Sequence, residues 1–204
     1  MDRADDGIAK SMKRRFSQLS WVLVALSSSC APAPHFAHSP VAGAAVNGPH
    51  SLVGSWARAG RDNGERALVS KDGDDGVKVL LFASGGKPAD IPTVRLRLTR
   101  FGAADWAVAD MQTLGPGSPT AAPYVMLRYE YNGQDRLCAR TMAASPLVAA
   151  VRTGQLEGVV GRDGGRETVA ITAPAEAWVG WWETQPDQAA LLGGAEGCFV
   201  RVED

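Results

Sequence analysis

Histidine is nearly missing from this chain: there are three in 204 residues, at His35, His38 and His50, and none follows. A domain running from Ser51 to Asp204 therefore has no residue for a Ser-His-Asp triad, a Cys-His pair or a His-ligated zinc. The chain also lacks a Gly-x-Ser-x-Gly elbow, a His-Glu-x-x-His helix and a glycine-rich phosphate loop. Asp105 and Asp110 could be paired carboxylates, but their spacing raises them no higher than solvated strand residues. These absences point away from an enzyme and from any bound metal or cofactor. The formal net charge is −1, with no basic patch and no interleaving of basic and aromatic residues, which argues against nucleic acid as a partner. The acidic cluster Asp72, Asp74 and Asp75 would need a glutamate at the twelfth position of a calcium loop, where Ala83 stands, so it reads as a solvated turn. No apolar run reaches the roughly 20 residues needed to span a bilayer.

Cysteine is also sparse, and the position of each of the three is informative. Lys10, Lys13, Arg14 and Arg15 precede an apolar stretch from Phe16 to Leu26, and the small residues Ser27, Ser28 and Ser29 lead into Cys30. A charged start, a short apolar stretch and small residues before a cleavage point form an export signal. Leu26-Ser-Ser-Ser-Cys30 resembles the lipobox of bacterial lipoproteins, which implies that Cys30 is lipidated and becomes the mature N-terminus. Cleavage further on, after Ala31-Pro32-Ala33 or Ala42-Gly43-Ala44, is the other export route. Either route implies the cell envelope, lipid-anchored and facing the periplasm or soluble within it. Residues 1–30 are thus expected to be a signal peptide. Residues 31–50, rich in Pro, Ala and Gly and without charge, are expected to be a disordered tether. His35 and His38 would then be solvated linker and not a metal pair. Cys138 and Cys198 remain as a pair in a compartment where disulfides persist, either bridged or as two buried thiols.

Residues 51–204 suit one domain with a single core. Their dominant period is two, the sign of antiparallel strands. Thr93 to Thr99 alternates strictly, with Val94, Leu96 and Leu98 on one face and arginine or threonine on the other. Val125, Leu127, Tyr129 and Tyr131 form a second apolar row opposite Met126, Arg128 and Glu130. Further strands are expected over Val53 to Arg58, Ala67 to Lys71, Val77 to Phe82, Asp105 to Gln112, Arg136 to Thr141, Leu156 to Arg162, Glu167 to Thr172 and Cys198 to Val202. Asp72-Gly73, Asp75-Gly76, Asn132-Gly133 and Asp163-Gly164 supply the hairpin turns. Two segments read as helix. One begins with Ser145 as N-cap and Pro146 at the first position, and Gly154 stops it. The other begins at Pro174 and sets Trp178, Trp181 and Trp182 at i, i+3 and i+4, so that three indoles share a face.

Gly54-Ser55-Trp56 resembles the Gly-x-Trp element that opens the first strand of lipocalins and related calycin barrels. That resemblance implies that Trp56 closes one end of the barrel and packs under an arginine of the last strand, for which Arg201 is placed. The stretch from Gly54 through Tyr124 to Glu130 and on to the last strand is also similar to small bacterial lipoproteins that carry an all-β domain with a late helix. The expected fold is all-β with minor α, an antiparallel β-barrel of about 8–10 strands with one or two short helices near the C-terminal third.

The function expected from this reading is a membrane-anchored binding module whose barrel takes a small apolar or amphipathic ligand. Its candidate lining is Trp106, Tyr129, Tyr131, Trp178, Trp181 and Trp182, where flat rings could grip a ligand. The alternative is a structural or assembly protein of the envelope. It would have a filled core, the tryptophan helix plugging the barrel and another envelope protein as partner.

Overall fold

The computed structural model describes residues 33–40, 49–60, 65–82, 93–101, 104–111, 122–133, 135–163 and 165–203. Cys30 and the alternative cleavage site at Ala42 to Ala44 lie outside them. A short strand β1 (His35–Phe36) comes first, then a 3-10 turn over Pro49–Leu52. Seven strands follow: β2 (Gly54–Arg58), β3 (Arg66–Lys71), β4 (Gly76–Phe82), β5 (Val94–Phe101), β6 (Ala104–Asp110), β7 (Tyr124–Tyr131) and β8 (Arg136–Met142). Next come helix α1 (Ala144–Arg152), the hairpin β9 (Gly158–Asp163) and β10 (Arg166–Ile171), helix α2 (Ala175–Glu183) and a 3-10 turn over Ala189–Leu191. The long strand β11 (Leu192–Val202) ends the fold.

Strands β2 to β8 pair in chain order, and β11 inserts between β8 and β2, so eight antiparallel strands close into a barrel. Closure leaves no edge along the ring, and alternation then gives each strand an inner and an outer face. Leu98, Ala107, Leu127, Tyr129, Ala139 and Phe199 belong to the inner cluster, together with Trp56 and Val69. The turn chemistry is as the sequence suggests at two of the hairpins. Gly73 and Gly133 have φ of 76° and 72°, which favour glycine.

The chain between β8 and β11 forms a second layer outside the barrel. The eight ring strands agree with the expected 8–10, and the further strands β9 and β10 lie outside the ring, pairing with one another and, through β10, with β1. Helix α1 starts at Ala144 with the extended Ala143 as its cap, so Ser145 and Pro146 lie within the first turn and no side chain caps it. Its end follows the glycine signal. Gly154, at φ 72°, donates to Val151 O at 3.1 Å, and Gln155 N donates to Ala150 O at 2.9 Å, the paired bonds of a Schellman turn.

The segment read as a tether is partly built into the fold. Strand β1 runs parallel to β10 through His35↔Ala170 and Phe36↔Ile171, and Phe36 also faces Tyr124 of β7. Phe36 is 2% exposed and meets Trp178 edge-on, with ring centroids 5.2 Å apart. The Pro-rich composition cannot build a core alone. An extended segment can still complete an existing sheet, taking backbone bonds such as Ala37 N to Ile171 O at 2.8 Å and burying one ring.

Histidine therefore does enter the folded domain, His35 in β1 and His50 in the 3-10 turn. His35 Nδ1 lies 3.1 Å from the Ala122 carbonyl, which accepts from it. Burial lowers the imidazole pKa from its ordinary 6.5, with the bond to Ala122 acting in the opposite sense. The unfolded chain then binds the proton more readily, so stability held by neutral His35 is present above about pH 6.5 and is lost as pH falls through the depressed folded value. Denaturant midpoints measured between about pH 5 and 7 should fall with acidity, and His35→Gln should flatten that part of the profile. An unchanged slope in His35→Gln would remove His35 as its origin. Among the described residues no group of three or more His, Cys, Asp or Glu could hold a metal ion.

Candidate functional site: the barrel interior

One end of the barrel is shut by the 3-10 turn and the first and last strands. Trp56, 1% exposed, donates from Nε1 to Leu52 O at 2.9 Å, which fixes the turn across the opening. Arg201 pairs in register with Trp56 and lays its guanidinium over the indole, with Cζ 4.6 Å from the ring centroid. That cation–π contact also covers apolar surface that would otherwise meet water. The same guanidinium donates to Val53 O at 2.7 Å, Ser51 O at 2.6 Å and Asp135 Oδ1 at 2.8 Å, tying the turn to the β7–β8 connection. Gly54 has φ 141°, and a Cβ there would stand 2.6 Å from Arg201 Nη1. Glycine at the head of the Gly-x-Trp element thus leaves the arginine its path. Tyr131 meets Trp56 edge-on at 6.2 Å from the inner side.

Above this floor the barrel is not completely filled. A cavity of about 90 Å³ is bordered by Leu52, Val79, Leu96, Leu127, Tyr129 and Phe199 among others, and no polar atom of the described residues faces it. A water needs two to four polar partners, and the described walls of this space offer none. Tyr129 is 8% exposed, and its hydroxyl pKa is pushed up to about 12, first by burial and then by the charge of Asp105, with Arg100 opposing. Asp105 pairs in register with Tyr129 and is held by Arg100 Nε at 2.5 Å. Tyr129 therefore stays neutral across the physiological range and serves as a wall. Asp105 and Asp110 fall on opposite faces of β6 by alternation, so this strand does not aim the two carboxylates at one point.

No known protein family, curated protein or solved structure matches this chain. The closed eight-stranded ring and the Trp56–Arg201 floor are compatible with a lipocalin-like fold, and they stand on geometry alone.

Of the residues expected to line a ligand site, the structure brings Tyr129 to the cavity wall and sets Tyr131 beside it at the floor. It places Trp106, Trp178, Trp181 and Trp182 elsewhere. Ala107 and Leu127 point inward, so Trp106 and Met126 must point outward, and α2 covers them there. Trp182 meets Trp106 edge-on at 5.0 Å, while Trp178 lies 5.6 Å from Trp181 and 5.7 Å from Trp182. The aromatic helix is thus neither a lid nor a plug. It is the core of the outer layer, because an indole stripe must be buried against something apolar and the outer wall of β6 and β7 supplies it.

Several cavity residues were not singled out beforehand, notably Leu52, Val79 and Phe199. For Val79 and Phe199 the signal lies in the alternation, since each is an apolar side chain on the inner face of its strand, whereas Leu52 sits in the 3-10 turn, where no strand period marks it. Cys138 and Cys198 stand opposite one another on β8 and β11 and are bridged, with Cα atoms 4.1 Å apart. Neighbouring Leu137, Ala139 and Phe199 face inward, so the bridge lies on the outer wall.

Proposed function

We propose that this chain is an exported protein of the cell envelope, anchored through a lipidated Cys30, whose barrel holds a small apolar ligand or the apolar end of an amphipathic one. The observation that carries the ligand reading is the space inside the closed ring whose described lining is apolar throughout. Its volume of about 90 Å³ is well below the roughly 300 Å³ at which drug-sized sites begin, so the occupant is limited to a benzene-sized group or a short hydrocarbon end. Burying such a group gains about 25 cal/mol per Å² of apolar area, enough for weak but measurable affinity. The chemistry needs no catalytic group. It also fits the chain's lack of catalytic motifs.

Benzene titrated against the full chain should shift methyl resonances of Leu96 and Leu127 saturably. Ala139→Leu, which fills the cavity from β8, should abolish those shifts while the barrel stays folded. Binding that survives Ala139→Leu, or no saturable binding at all, would end the ligand reading. Native mass spectrometry of protein taken from its own membrane reads both parts of the proposal. It should show a diacylglycerol-sized increment that is absent in Cys30→Ser, and any small guest carried with the barrel.

A further inference from the structure

The residues just before β1 sit at one particular end of the barrel. Along β7 the inner face passes from Tyr131 beside the Trp56 floor, through Tyr129 and Leu127 at the cavity, to Val125. From Tyr131 to Val125 is about 20 Å along the strand. Val125 lies across from Ala109, and with Val94 and Met111 these two form a separate buried cluster at the end opposite the floor. Ala33 packs against this cluster. The chain then leaves through β1, where Phe36 pairs with Tyr124, the first residue of β7. Pro34, Phe36 and Pro40 are buried, and Ala37 N donates to Ile171 O, so the segment is held at this rim along its length. Cys30 stands three residues before Ala33. That length of chain reaches at most about 11 Å, whereas an unheld chain from Cys30 to His50 would reach about 70 Å.

We propose that this short leash turns the rim around Val94, Met111, Ala122 and Val125 to the membrane, with the bilayer surface as its partner and the Trp56–Arg201 floor facing away. The inference rests on the lipidation of Cys30 proposed above. A lipid on Cys30 fixes one end of the leash in the bilayer, and Ala33 fixes the other at the rim. Turning the floor to the membrane would require the leash to run the length of the barrel, about 20 Å, which three residues cannot span. Docking of β1 thus does more than complete the outer sheet: it converts a lipid anchor into an orientation, which a free tether of the same composition would not do.

The test uses the protein taken from its own membrane and placed in lipid discs of phosphatidylethanolamine and phosphatidylglycerol, with a nitroxide on some of the headgroups. Paramagnetic broadening should be several-fold larger for the amides of Val94, Met111 and Ala122 than for those of Gly73, Gly133 and Val202 at the floor end. Inserting about twelve Gly and Ser residues after Ala31 lengthens the leash by roughly 20 Å on average, so the contrast between the two ends should fall away while the fold and the lipid remain. The mass of the same sample separates the two readings. A diacylglycerol-sized increment with equal broadening at both ends overturns the orientation and leaves the anchor standing, as does a contrast that survives the insertion. A sample without the increment overturns the anchor, and the orientation falls with it.

Discussion

Trp178→Ala should lower the stability of the domain by about 3–5 kcal/mol, the cost of deleting a large buried aromatic and leaving a cavity. Trp178 is 0% exposed and touches Phe36, Trp181 and Trp182, so it joins β1 to α2 at the centre of the outer layer. For a domain of this size such a loss is a drop of roughly 10 °C or more in melting temperature. The outer layer and the barrel interior are separate clusters on opposite faces of the same strands. Benzene affinity, measured below the melting transition, should therefore stay within about twofold of the parent, since the mutated site shares no partner with the cavity. If affinity collapses while the barrel remains folded, the tryptophans act on the ligand after all. Trp178→Phe keeps most of the buried area and should recover more than half of the lost stability.

Replacing both Cys138 and Cys198 by alanine should cost about 4 kcal/mol, because their separation of 60 residues leaves a long loop to be closed without the link. The bridge joins strands that are already paired, so its effect falls mainly on the unfolded chain. The reduced protein should keep its far-ultraviolet spectrum at 25 °C and melt roughly 10 °C lower. A loss of under 1 kcal/mol would mean that the unfolded chain is already held compact without the bridge.

Each strand of the ring contains an alternating run in the sequence, because a half-buried strand must alternate and hairpin glycines must separate the runs, but β11 begins at Leu192, ahead of the run expected from Cys198, through a glycine-rich stretch with a register shift that hides the period. Thr93 to Thr99 and Val125 to Tyr131 show this most directly. Their apolar rows became barrel interior from Leu96 to Leu98 and from Leu127 to Tyr131. The pairing of Trp56 with Arg201 was also legible, since a short motif at the first strand and an arginine in the last are both needed to shut an end. Alternation cannot say which runs join the ring. The period of β9 and β10 is the same as that of β8, yet they form a hairpin outside it. Composition misled over residues 33–40, because a charge-free, Pro-rich segment cannot bury a core by itself but can add a strand to one already built.

The sequence by itself determined the all-β class, the helix of indoles, the scarcity of histidine and the pair of cysteines available to bridge. Those follow from period, motif and residue type, which are local. Only the tertiary structure decided which face each aromatic meets. Tyr129 and Trp106 are both large rings on paired strands, and the parity of their positions sends one to the cavity wall and the other beneath α2. Register likewise set Arg128 against Arg140, which no spacing along the chain reveals. Burial of a stripe satisfies the hydrophobic effect wherever an apolar surface is offered, so the choice of surface belongs to the fold.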